Sequence, residues 1–464
     1  MSAEQQRLFA RQMEVFAGFG AHTDHEVGRV LEAVRELPDG DNTMVVYIVG
    51  DNGASAEGGP VGEINEIAPA NGLQVDESTF TSEVVAELGG PKYNNNFPWG
   101  WAWAMSTPFQ YYKQVISHLG ATRNPLIISW PEGIEPDGKV RSQFHHVVDI
   151  APTLLGAAGI EAPVSVNGVA QKPVDGVSML SSFNDPEAAE QRLTQHFEVF
   201  ANRAIYHRDW FASAAITTNP SDPARAGLDP DKVTWELYNL AEDFSQANNL
   251  AAEKPTELRQ LQDLWWAQAG KHGVLPLDWR AGERLVGGDR PNPAAGRNQF
   301  VYHPGMVALP EAIAPVLRNR SWTITAKGEF SPENEGMLIT QGGMSGGWAF
   351  YLQESRLVFD YNYGEYAWYR VVADAPIPAN VETLEARFSY DGETGKDFGA
   401  GGIVSLWADG KKLGEGRLEK TLRGLLSISE GMDVAADYGS PVSDDYPFPY
   451  PFKGKLQSVT INLE

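Results

Sequence analysis

Asp51 and Asn52 stand at the end of an apolar run, Met44-Val45-Val46-Tyr47-Ile48-Val49, and Gly53 follows them. A carboxylate beside an amide oxygen suits a hard cation such as calcium or magnesium. The same three residue types also make ordinary turns, so position must separate the two readings. The run before them is β-branched and lacks polar alternation, as does a strand buried on both faces of a parallel sheet. Open α/β sheets seat their ligands just beyond the carboxyl ends of such strands. Histidines are the next candidates. His145 and His146 are adjacent, and neighbours on a helix do not converge, so they are poor co-ligands. His207 follows Ile205-Tyr206 in a strand pattern and reads as a structural residue.

These groups need elements to hold them. Residues 5–37 carry a helical pattern, and Pro38-Asp39-Gly40 turns it into the Asp51 strand. Residues 54–105 are rich in Gly, Asn and Trp and show no period. Their run Phe97-Pro98-Trp99-Gly100-Trp101-Ala102-Trp103 reads as the lining of a cleft or as a loop pinned by large rings. A second buried strand is expected at 126–130, a helix at 144–158, a small antiparallel sheet at 195–240 and a helix at about 255–269. Residues 286–319 contain five prolines and no lasting period, as a linker does. From Ser321 onward short alternating runs, such as Trp322-Thr323-Ile324-Thr325-Ala326 and Ile403-Val404-Ser405-Leu406-Trp407, are separated by Gly and Asp turns. That is the pattern of an antiparallel sandwich.

Several ordered blocks carry a family likeness. They are Thr107-Pro108-Phe109-Gln110-Tyr111-Tyr112-Lys113, then His118, then Thr122-Arg123-Asn124-Pro125 with the apolar run Leu126–Pro131. Arg141–Leu155, Phe197–His207 and Trp235–Asp243 complete the series. In this order the blocks, over roughly residues 5–285, resemble the sulfatase family, in particular the arylsulfatase branch of the alkaline phosphatase superfamily. The resemblance implies an α/β fold, here the C-terminal part of a sulfatase mixed sheet, followed by an all-β, lectin-like sandwich. It implies three sequential parts: a sulfatase domain at 1–285 with a small antiparallel subdomain at about 190–285, a linker at 286–319 and a β-sandwich at 320–464. It also implies hydrolysis of sulfate monoesters, either small aryl sulfates or sulfated glycans. Asp51 and Asn52 match half of the family's calcium site, and Lys113 matches the lysine that contacts the sulfate and helps the leaving oxygen. His118 is expected close behind that lysine, in a supporting or structural role.

The chain also departs from the family. Sulfatases make a formylglycine nucleophile from the Cys, or sometimes the Ser, of a Cys-x-Pro-Ser-Arg motif. This chain has no cysteine and no Ser-x-Pro-Ser-Arg, and the first strand with its pair of metal-binding aspartates is missing. The chain therefore looks like the C-terminal portion of a sulfatase, inactive by itself and a weak binder of calcium. The competing reading is a non-catalytic glycan-binding sandwich that uses Trp322, Trp348, Trp368 and Trp407. Composition narrows the partners. A net charge of −25 argues against bulk-charge binding of nucleic acid. No apolar stretch is long enough for a membrane span, and no leader is visible. A soluble protein is expected, periplasmic or secreted in its full-length form.

Overall fold

The computed structural model describes residues 1–50, 52–73, 75–219, 227–280 and 296–464. Its helices, in chain order, are α1 (Ala3–Arg35), α2 (Ala68–Asn71), α3 (Ser82–Glu87), α4 (Trp99–Ser106), α5 (Ile150–Ala157), α6 (Leu180–Phe183) and α7 (Pro255–Lys271). Among the described residues none is long and apolar enough to cross a membrane. The chain divides into two compact units, each built from non-contiguous segments: 16–56 with 99–281, and 1–15 with 57–98 and 282–464.

In the first of these units β1 (Val45–Ile48) and β2 (Leu126–Ser129) are the two apolar runs read from the sequence. They pair with each other and antiparallel, Tyr47 opposite Ile127. The expectation of parallel strands buried on both faces is therefore corrected. Such strands need neighbours at both edges and layers over both faces, and among the described residues this ladder has two strands only. Ile127 is left 55% exposed. A two-residue hairpin, β3 (Ser165–Val166) and β4 (Val169–Ala170), follows.

The small antiparallel sheet expected at 195–240 is present as β5 (Thr194–Val199), β6 (Asn202–His207), β7 (Trp210–Ala214) and β8 (Glu236–Asn239), in that spatial order. Its side chains alternate between two cores, as a period of two requires. Ile205, Ala212 and Leu237 meet Leu261, Trp265 and Ala269 of α7. On the other face Ala204, Tyr206, Phe211 and Tyr238 pack with Leu119. His207 bonds Thr194 Oγ1 through Nδ1 at 2.8 Å, a structural role. His146 caps the turn that opens α5, and Asp149 returns the cap. Asp149 also receives the guanidinium of Arg192 on both carboxylate oxygens. His146, the second of the adjacent histidines, is thus engaged in a helix cap.

The second unit is a two-sheet sandwich. One sheet holds β9 (Gln299–Tyr302), β10 (Trp322–Phe330), β15 (Val381–Tyr390), β16 (Gly402–Ala408), β17 (Lys411–Leu418) and β19 (Lys455–Leu463), and the other holds β11 (Gly336–Gly343), β12 (Gly346–Gln353), β13 (Arg356–Asn362), β14 (Trp368–Val372) and β18 (Met432–Val434). The apolar core lies between them and includes Trp322, Trp348, Phe359 and Phe388. Part of the span read as linker belongs to this core. Phe300, Tyr302, Ala314 and Leu317 are buried in it, and β9 pairs with β19. Four residues of alternation between prolines are too few to stand out in a sequence. The segment 57–98 was read as aperiodic and contains short helices that pack here. Asn71 donates to the Leu425 carbonyl at 2.8 Å and accepts from the Gly424 N–H at 2.8 Å.

Candidate functional site

The residues expected to do chemistry lie on two loops of the first unit. One leaves β1 and carries Asn52 and Gly53. Asp51 lies outside the described residues. The other runs from Ser106 to Ala121 and carries Lys113 and His118. The loops meet at their backbones. Gly53 adopts φ +85°, and a Cβ there would stand 2.3 Å from the Gly120 carbonyl oxygen and 3.0 Å from the Lys113 nitrogen. Only glycine fits such an approach. The Lys113 N–H donates to the Ala54 carbonyl at 3.1 Å and locks the junction. Asn52, exposed, and Lys113, half-buried, therefore sit on either side of one backbone contact.

The Lys113 loop holds an unusual conformation. Tyr111 and Gln114, on either side of Lys113, have φ of 64° and 75°. Non-glycine residues in this region cost of order ~1–3 kcal/mol each and persist where their surroundings over-determine them. The surroundings here are specific. Buried Gln246 accepts from the Leu119 N–H at 2.7 Å, donates to the Ser117 carbonyl at 3.3 Å and receives the Gln110 amide on its own carbonyl. Asn202, on β6, donates to the Gln114 carbonyl at 2.9 Å.

His118 lies beneath this loop, 5% exposed. Burial pushes its pKa down to about 4, so the ring is neutral at neutral pH. Its Nδ1 lies 3.0 Å from Ser117 Oγ. Its Nε2 lies 3.5 Å from the Tyr238 hydroxyl and 3.7 Å from Glu236 Oε2. The Tyr238 hydroxyl donates to Glu236 Oε2 at 3.1 Å, and burial together with that carboxylate raises the phenol's pKa. With that proton committed to Glu236, Nε2–H donates to the phenol oxygen and Nδ1 accepts from Ser117, which fixes the tautomer. The Tyr111 ring stands 4.7 Å from the imidazole, and Trp103 of α4 meets Tyr111 edge-on at 5.0 Å. Tyr111, His118, Ile216, Asp229, Lys232 and Glu236 line a cleft of about 640 Å³.

The structure thus brings the Gly53–Ala54 backbone against that of Lys113, and His118 to a Glu236–Tyr238 pair that sequence reasoning left without a role. Alternation on β8 was the available signal, because positions 236 and 238 share a face. An amide oxygen beside a carboxylate has the right chemistry for calcium, but two ligands fall short of the 6–8 oxygens that ion takes. Among the described residues no three His, Cys, Asp or Glu side chains converge as a metal shell.

The comparisons with known proteins agree with the ordered motifs. The family model described as Sulfatase matches residues 2–160, and the one described as N-sulphoglucosamine sulphohydrolase, C-terminal, matches residues 108–266. An uncharacterized sulfatase of Schizosaccharomyces pombe is 27% identical over 284 residues, which is 59% of this chain and 46% of that protein. An arylsulfatase of Klebsiella aerogenes is 29% identical over 179 residues, 39% of this chain and 36% of the relative. An N-acetylglucosamine-6-O-sulfatase of Bacteroides thetaiotaomicron is 29% identical over 144 residues, 30% of this chain and 24% of the relative. The chain therefore spans less than half the length of these curated relatives. Two overlapping family models in the expected order, together over residues 2–266, and these relatives show that this part of the chain is similar to sulfatases.

Proposed function

We propose that this chain supplies the lysine half of the active site of a sulfuric ester hydrolase of the arylsulfatase type. The supporting observation is the backbone junction at Gly53, which brings the loop that carries Asn52 against the backbone of Lys113. Ester cleavage builds negative charge on the sulfuryl oxygens and on the leaving oxygen. A lysine ammonium held by a rigid loop stabilises that charge without reorganising. Asp51 and Asn52 are the chain's ligands toward calcium, which when bound would polarise the sulfuryl oxygens as a Lewis acid. The cleft beside His118 is lined by both charge signs and a tyrosine ring, which suits an aryl or glycan leaving group. Of the four sandwich tryptophans behind the glycan-binding reading, Trp322 and Trp348 are buried and Trp407 is covered by the Arg387 guanidinium at 4.4 Å. Trp368 alone of the four presents an exposed ring, which favours the hydrolase reading.

No cysteine is present to become formylglycine. Without a covalent nucleophile, a well-built hydrolase site retains only ~10³–10⁴-fold rate enhancement. The purified chain with added calcium is expected to leave a chromogenic aryl sulfate unhydrolysed. In a full-length protein that carries the nucleophile, Lys113→Ala should lower kcat by about 10²-fold or more, as loss of one preorganised charge-stabilising donor does. Hydrolysis by the isolated chain, lost in Asp51→Ala, would overturn this reading.

A further inference from the structure

The cleft beside His118 has a second wall, to which Asp229, Lys232, Thr234 and Glu236 belong. Its volume of about 640 Å³ is that of a small-molecule site. The wall is braced from within. Arg203 of β6 is 2% exposed, and its Nη2 donates to the Pro230 carbonyl at 2.6 Å. Its guanidinium lies 5.4 Å from the Trp235 ring, 5.7 Å from Trp265 and 5.6 Å from Trp266. Nε and Nη1 have no hydrogen-bond partner, so the cation rests on the indoles. Asp229 Oδ1 accepts the Asp231 N–H at 3.0 Å, and Oδ2 holds the Lys232 ammonium at 3.0 Å. A wall held in this way is set before a ligand arrives.

Its charges do not balance. One lysine against two carboxylates, Asp229 and Glu236, leaves the lining with a net negative charge. Lys232 is engaged by Asp229, and its side chain is 82% exposed. Among the described residues Glu236 pairs with no lysine or arginine. Its Oε2 meets two uncharged groups, the Tyr238 hydroxyl at 3.1 Å and the neutral His118 ring at 3.7 Å. The Glu236 side chain is 38% exposed, so it is open to a ligand in the cleft. A carboxylate in that setting accepts hydroxyl protons in charge-assisted hydrogen bonds. It also disfavours any ligand that brings a second negative charge beside it. Lys113 is not among the lining groups.

We propose that Glu236 makes this cleft a charge sieve for the leaving group. It takes the hydroxyls of an uncharged sugar and turns away a sugar that carries a further anionic group, such as a uronate. The inference rests on the sulfate-ester reading of the Lys113 loop. The ester's own sulfate lies with Lys113, so the discrimination acts on the rest of the substrate.

The test needs no nucleophile and uses the purified chain. Methyl β-D-glucoside and methyl β-D-glucuronide differ only at C6, where a hydroxymethyl group faces a carboxylate. Each is titrated at neutral pH and followed by saturation-transfer NMR. The glucoside should bind saturably, and the glucuronide at least ~10-fold more weakly, as two like charges a few ångströms apart require. Added NaCl should narrow that gap in the parent chain. Glu236→Gln keeps an acceptor oxygen and removes the charge, so it should retain the glucoside and bring the two affinities together. Four results overturn the proposal: no binding of the glucoside, equal binding of both sugars by the parent, a gap that neither salt nor Glu236→Gln narrows, or loss of the glucoside in Glu236→Gln. A failure of the hydrolase reading shows elsewhere, as an unchanged kcat for Lys113→Ala in the full-length protein.

Discussion

Asp149 shows how a family motif residue can serve the fold. It is fully buried, and besides Arg192 it accepts the Val177 N–H at 2.8 Å and the His146 N–H at 2.9 Å. Burial alone would raise its pKa, but Arg192 and these N–H donors outweigh it and hold the carboxyl below its usual value. A depressed carboxylate contributes stability at neutral pH that is lost as pH falls through its folded pKa. Breaking such a pair leaves an uncompensated buried charge, at ~3–5 kcal/mol. Arg192→Ala should therefore lower the stability of this unit by that amount in urea melts at pH 7, and a change under about 1 kcal/mol would contradict the assignment. The sequence showed Asp149 only as part of a motif, because its partner lies 43 residues away. Lys113 was legible through its motif neighbours. Glu236 and Tyr238 were not given a role, since their importance depends on a histidine that reaches them from another loop.

At the scale of elements, legibility followed exposure. β16 alternates buried and half-buried residues, and β10 does much the same, so their period of two shows in the sequence. β11 is buried along its whole length. Tyr446, Tyr450 and Val442 cover the outer face of its sheet through Met337, Ala349 and Tyr351, which erases the polar half of the pattern. β1 and β2 were recognised as strands, but their partner and direction were not, because an apolar run states that burial is wanted and not what provides it. β9 was missed for its length, and it offers a test. It covers the outer edge of β19 and brings Phe300 and Tyr302 into the core. Fully burying one large apolar side chain is worth ~1.5–3 kcal/mol. Residues 296–464 expressed alone should melt cooperatively, at least ~5 °C above residues 320–464. Equal melting temperatures would show β9 to be an ornament on an already complete sandwich.

At the scale of the whole molecule, acid should favour the fold. Glu63 and Glu365 rise from 4.5 to about 8, and Asp437 rises from 3.8 to about 6, all chiefly through burial. An acid whose pKa is raised by folding contributes stability that is full below its unfolded pKa and is lost as pH climbs through the folded one. At ~1.4 kcal/mol per pKa unit the loss between pH 4.5 and 8 is on the order of several kcal/mol. The net charge of −25 adds self-repulsion in the same direction. The Tm should fall steadily from pH 5 to pH 8, and the double variant Glu63→Gln, Glu365→Gln should flatten that slope. A Tm that rises over this interval would refute the assignment of buried, unpaired acids. The discontinuous make-up of the sandwich unit has a further consequence, for a chain emerging from a ribosome. Asn71 must find the Gly424–Leu425 backbone, more than 350 residues downstream. At ~5–20 residues per second the 57–98 segment waits roughly 20–70 s for β19 to be made. Throughout that interval Ile67, buried in the sandwich core of the finished protein, has no sheet to pack on. The nascent chain is then a natural client for a holding chaperone, and slowed translation should lower the yield of folded protein.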